Sequence, residues 1–116
     1  VDISKWETAL EELNAALELA ETRLAKTYRS RADIQVDEGF IISYMKSGNR
    51  WGIYLENGNK TMRAGSVEQR VQIAFFLVEL EKELISGWQE SFNKVQMAIK
   101  AAREFAERRE DGPKAV

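Results

Sequence analysis

Eight positions in the first segment, Ile3, Trp6, Leu10, Leu13, Leu17, Ala20, Leu24 and Thr27, recur at alternating steps of three and four. That seven-residue spacing turns one narrow stripe toward a partner, while Glu11, Glu12, Glu18, Glu21, Arg23 and Lys26 fill the other faces. It predicts an amphipathic helix. Ser4-Lys5-Trp6-Glu7 reads as its capping box. With no Gly or Pro before Ser30, the helix should run roughly 40 Å at 1.5 Å per residue.

Between about residues 33 and 64 the period drops to two. Ile34 and Val36 alternate with polar neighbours, followed by Phe40, Ile42 and Tyr44, then Trp51, Ile53 and Leu55, and last Met62 and Ala64. The turn signals Asp37-Glu38-Gly39, Gly48-Asn49 and Asn57-Gly58 part these runs, the last two being dipeptides that supply the positive φ of tight hairpins. The pattern predicts a four-stranded antiparallel meander. Two-residue loops at Gly48-Asn49 and Asn57-Gly58 pair Tyr44 with Ile53, Lys46 with Trp51, Ile53 with Met62 and Trp51 with Ala64. A three-residue first loop, with Gly39 left-handed, pairs Val36 with Phe40 and Ile34 with Ile42. All these apolar side chains then share one face, and a slip of one residue in any strand would scatter them. That face must lie on helices.

Ser66-Val67-Glu68-Gln69 is a second capping box and opens another helix. From Val71 to Leu80 it is apolar nearly all round, the mark of a buried helix. Farther on, Leu77, Leu80, Leu84, Trp88, Phe92, Val95, Ile99, Ala102 and Ala106 form one stripe. Two steps of four meet at Trp88, with Ser86-Gly87 beside them, a stutter that locally unwinds a supercoil. The expected architecture is α+β: a long N-terminal helix, a four-stranded antiparallel β-meander, and a long C-terminal helix kinked or broken near Gly87. The helices pack on one sheet face and on each other, either pairing beyond the sheet as an antiparallel hairpin or completing their packing in a dimer. Residues 1–110 form one domain, and 111–116, with Gly112-Pro113, a frayed tail.

At 116 residues, 44% hydrophobic and 31% charged, the composition fits one soluble globular domain. The absence of Cys and His removes thiol nucleophiles, histidine triads and thiolate or imidazole zinc sites. It points away from an enzyme. Cysteine-free composition fits a cytoplasmic protein. The longest apolar run, Ile73 to Val78, is far short of the ~20 residues of a membrane span, and no signal-peptide pattern stands ahead of the first helix. No phosphate-binding loop or dinucleotide fingerprint occurs. No cofactor is expected.

The net charge of -2 hides a segregation: residues 1–21 carry -5, residues 22–70 carry +4, and the remainder -1. The bases of the sheet and its entry lie among aromatic residues, a mixture that suits a small anion such as a nucleotide, because guanidinium groups grip phosphate and rings stack on bases. Arg29, Arg31, Lys46, Arg50, Tyr54, Lys60 and Arg63 form this candidate ligand set. The acidic chain as a whole argues against duplex nucleic acid, which needs a large basic footprint. Asp33, Asp37 and Glu38 at the first hairpin are ordinary turn chemistry rather than a metal site.

The sheet face away from the helices offers a different candidate, an interface formed by Ile41, Ser43, Met45, Gly52, Tyr54 and Thr61. Gly52 in mid-strand lets another backbone come close. The function expected is therefore a non-enzymatic binding or assembly protein, a homo-oligomer or the partner of another protein. The alternative is a protein that sequesters an anionic, nucleotide-like molecule at the basic, aromatic sheet region.

Overall fold

The computed structural model describes residues 2–37 and 39–108. Glu38 and the tail expected to fray lie outside them. The elements follow in the order α1 (Ile3–Thr27), β1 (Ala32–Asp37), β2 (Phe40–Ser47), β3 (Arg50–Leu55), β4 (Lys60–Thr61), α2 (Val67–Phe75) and α3 (Leu77–Ala106). The strands form one antiparallel sheet in the order β1-β2-β3-β4.

Turn chemistry sets the register. Gly39 and Gly48 take φ of 81° and 62°, and Ile34 faces Ile42, Tyr44 faces Ile53 and Lys46 faces Trp51. An irregularity between Gln35 and Asp37 changes the end of the first hairpin, so that Asp37, rather than Val36, pairs with Phe40. The third turn is wider than a two-residue loop: Glu56, Asn57 and Gly58 all have positive φ, at 52°, 60° and 95°. β4 keeps the expected register, Thr61 on Tyr54 and Lys60 on Leu55. It is shorter than the alternation suggested, because the chain leaves the sheet in a 3-10 turn at Met62–Ala64. Met62 still tucks into the core, whereas Ala64 is exposed. Close packing after the turn calls for glycine, since a Cβ on Gly65 would lie 2.8 Å from Leu55 Cδ1.

Asp2, not Ser4, caps α1. Its carboxylate accepts the amides of Ser4 at 3.0 Å and Lys5 at 3.3 Å. At α2 the capping box forms as expected: the Ser66 amide donates to Gln69 Oε1 at 2.9 Å and the Gln69 amide to Ser66 Oγ at 3.1 Å. The C-terminal helical segment breaks at Phe76, where φ is -104° and ψ 10°, and not near Gly87. α3 continues through Gly87, whose surroundings are open, so no packed neighbour forces a bend there. The break also leaves Phe75 and Val78 exposed, correcting the expectation of a segment buried all round.

The inner sheet face buries Ile42, Tyr44, Ile53, Leu55 and Met62 against Leu17 and Leu24 of α1, Ile73 of α2, and Leu80 and Leu84 of α3. α1 lies over β3 and packs on α2, while α3 lies over β1. Tyr44 ties the layers together. Its ring stacks on Trp51 with centroids 5.6 Å apart, and its hydroxyl reaches the carbonyls of Tyr28 at 2.8 Å and Leu24 at 3.1 Å, at the end of α1. Burial raises the Tyr44 pKa, so the hydroxyl keeps its proton and its role as donor.

Contacts between the helices advance in the same sense: Asn14 meets Arg70, and farther along Arg23 meets Glu81. The two long helices therefore overrun the sheet at opposite ends, and the molecule measures 86 × 28 × 24 Å. The antiparallel pairing of α1 with the 88–106 stretch does not form within the chain.

Replacing Tyr44 by Phe removes a buried donor that ties the sheet to the end of α1, although the Leu24 carbonyl keeps the Tyr28 amide and the Tyr28 carbonyl keeps the Arg29 guanidinium. The loss should cost about 1–1.5 kcal/mol. A fall in melting temperature of roughly 5–10 °C is expected. A change within a degree of wild type would contradict the anchoring role.

Candidate functional site

α3 carries the largest apolar surface. Its stripe begins with Leu77, Leu80 and Leu84, covered by the sheet and the other helices. The same stripe continues into Trp88, Phe92, Val95 and Ile99, which are 57%, 46%, 54% and 39% exposed. Ala102 and Ala106 complete it, also exposed. The Trp88 and Phe92 rings stack on each other, 5.3 Å between centroids and 19° between planes, so the aromatic pair is ordered one helical turn apart. A continuous exposed patch of this kind marks an interaction surface more often than a solvated one.

A second surface lies at the edge of β3. Because β4 pairs only with Tyr54 and Leu55, the rest of β3 has no strand beside it there. The Glu21 carboxylate of α1 fills part of this gap, accepting the Ile53 amide at 2.8 Å, which satisfies a strand-edge donor that would invite pairing with another chain. It lies so close to Gly52 that a Cβ there would be 2.9 Å from Glu21 Oε2. Two cavities flank the carboxylate, of about 470 and 530 Å³, sharing Glu21, Thr22, Arg50 and Trp51.

The seven bases and aromatics of the expected ligand set divide between several places. Arg29, Lys46 and Arg50 line the larger cavity with Trp51, joined by Lys26 of α1. Among the described residues none of these four bases forms a salt bridge. Tyr54 and Arg63 line the smaller cavity with Arg50, and Arg63 pairs with Glu18 at 2.8 Å. Arg31 is held by Asp33 at 3.2 Å and by Asn57 at 3.1 Å, and Lys60 lies 4.0 Å from Glu56. Sequence reasoning left out two residues of this groove. Lys26 was one of several bases on a helix, and Glu21 one of several acids on a solvated face.

The outer sheet face is partly covered by its own chain. The turn Glu56–Gly58 packs against β2, with Met45 beneath Gly58. Ser43 is 1% exposed, and its hydroxyl donates to Asp33 at 2.5 Å. Gly52 is buried and Met45 and Tyr54 are half-buried, whereas Thr61 and Ile41 are exposed. The six residues share a face without forming one open patch. Burial would raise the Asp33 pKa, but the Ser43 hydroxyl and the Arg31 guanidinium outweigh it and hold the carboxyl below its usual value. Among the described residues no three acidic side chains are grouped to hold a metal, and no helix is long and apolar enough to cross a membrane.

No known protein family, curated protein or solved structure matches this chain.

A lowered carboxyl pKa contributes stability above the pKa of the unfolded group and loses it as the pH falls through the folded value. Asp33→Asn should therefore cost about 1 kcal/mol at pH 7, at the low end for a charged hydrogen bond because Asp33 is half exposed. The deficit should shrink as denaturation is repeated below about pH 4. An unchanging deficit across that range would show that the charge is not what stabilises.

Proposed function

We propose that this protein is a non-enzymatic binding protein that works by assembly, a homo-oligomer held through the exposed apolar face of α3. One observation carries this reading. A single helical stripe is buried as far as Leu84 and exposed from Trp88 onward, and across the stutter at Trp88 its residues stay apolar, with nothing in their chemistry to mark a surface designed for water. Apolar burial contributes about 25 cal/mol per Å², so covering this stripe is the largest stabilising step still open to the fold. The composition supports the non-enzymatic part, since a chain without Cys or His lacks the groups most nucleophilic and acid–base designs use.

Light scattering at tens of micromolar should give a multiple of 13.3 kDa. Phe92→Glu should return the protein to a monomer without loss of helix content by circular dichroism, because Phe92 lies outside the core. A wild-type monomer at high micromolar concentration would overturn self-assembly.

The larger groove cavity carries a second reading: capture of a small anionic, nucleotide-like ligand. Four bases, none in a salt bridge among the described residues, and the half-buried Trp51 surround it, against one carboxylate, Glu21. Of these bases Arg29 also donates to the carbonyls of Ala25 and Tyr28. A ligand at 100 times its dissociation constant stabilises by about 2.7 kcal/mol. Some member of a nucleotide panel should therefore raise the melting temperature by several degrees, and Arg50→Ala should weaken that effect. A panel in which nothing stabilises the protein would remove this alternative.

A further inference from the structure

Beyond the sheet, the side chains of the α3 stripe fall in size along the helix: Trp88 and Phe92, then Val95 and Ile99, then Ala102 and Ala106. Their steps of four, three, four, three and four read the same from either end. A second copy of α3 laid antiparallel therefore meets this stripe position for position, about a two-fold axis level with Met97. Trp88 then faces Ala106 of the second copy, Phe92 faces Ala102, and Val95 faces Ile99, each contact repeated by symmetry. Large meets small along the whole seam, as interdigitated packing at interior density requires. A parallel pair would instead set Trp on Trp and Phe on Phe at one end and Ala on Ala at the other. The helices would be wedged apart where the rings meet, and the alanines would be left without contact.

We infer that the partner covering α3 is a second copy of this chain, paired antiparallel through the Trp88–Ala106 seam in this register. The inference rests on the assembly reading and adds to it the occupant and its orientation. Charge permits the pairing. Gln96 and Ala98 face their own copies beside the axis and Gln89 comes beside Arg103, so no like charges meet along the seam. Size permits it as well. Aromatic side chains carry about 150–250 Å² each, so Trp88 and Phe92, about half exposed, supply roughly 400 Å² over the two copies, and Val95, Ile99, Ala102 and Ala106 bring the total toward the order of 1,000 Å². That is the lower bound for a specific interface.

A size swap tests the register. Phe92→Ala opens a hole opposite Ala102, and Ala102→Phe sets Phe against Phe. Each single change should weaken the dimer at least tenfold by sedimentation equilibrium, with helix content checked by circular dichroism. The double variant recreates a large–small pair and should recover to within about threefold of wild type; no recovery would overturn the register. Because the chain has no Cys, single spin labels at Met97→Cys and Arg108→Cys report orientation independently. Eleven residues on each side of the axis add roughly 33 Å along it, so the Arg108→Cys labels should lie much farther apart than the Met97→Cys labels. A wild-type dimer with similar distances at both positions would overturn the antiparallel pairing and leave the assembly reading standing. A wild-type monomer would overturn both.

Discussion

A short sheet cannot cover a long helix, and the architecture follows from that mismatch. The longest strand, β2, has eight residues and spans about 27 Å. α3 has thirty residues and spans about 45 Å. Leu80 and Leu84 are seated in the core, where α3 crosses β1, and the helix beyond them is exposed throughout residues 88–106. α1 meets the same limit in the opposite direction, leaving Ile3 and Trp6 exposed. The elongated shape is the outcome of two helices that run in the same sense across one small platform.

Several edge and outer-face features are managed within the chain. The open edge of β3 is closed by the Glu21 carboxylate, which protects a backbone donor and pins α1 to the sheet. On the outer face the turn Glu56–Gly58 packs on β2 over Met45, and the Ser43–Asp33–Arg31 chain of hydrogen bonds satisfies the buried Ser43 hydroxyl. Glu81 joins the helices by accepting from Tyr28 and pairing with Arg23; burial, with the neighbouring carboxylate, raises the Tyr28 pKa. Against this background the bare stripe from Trp88 to Ala106 stands apart. Among the described residues no loop or turn covers it, and residues 88–106 are exposed throughout.

Much of the fold was legible because the relevant forces are local. Hairpin register follows from where glycine permits positive φ, and the pairings of Tyr44 with Ile53 and Ile34 with Ile42 could be read from the turns alone. The inner-face alternation located the core for the same reason. Features set by tertiary geometry were not legible. The break at Phe76 depends on how α2 lies along α1 before α3 crosses to β1, whereas Gly87 has no neighbour that would use its flexibility. β4 ended early because the chain leaves the sheet in a 3-10 turn at Met62–Ala64, which no periodicity reveals. Glu21 looked like any solvated glutamate until the shortened β4 left the Ile53 amide to be satisfied. For α3 the stripe was visible, but whether it met a partner depended on sheet length, a comparison that eight-residue strands and a thirty-residue helix make available in hindsight.

Exposed apolar surface on α3 that is not meant for water should become protected when copies meet. Amide hydrogen exchange resolved along α3 and followed as a function of protein concentration tests this most directly. Slow exchange from residue 88 to 106 at high concentration, approaching that of Leu80 and Leu84 and lost on dilution, is the predicted result. Fast exchange beyond Gly87 at every concentration, with the 77–84 stretch alone protected, would contradict it.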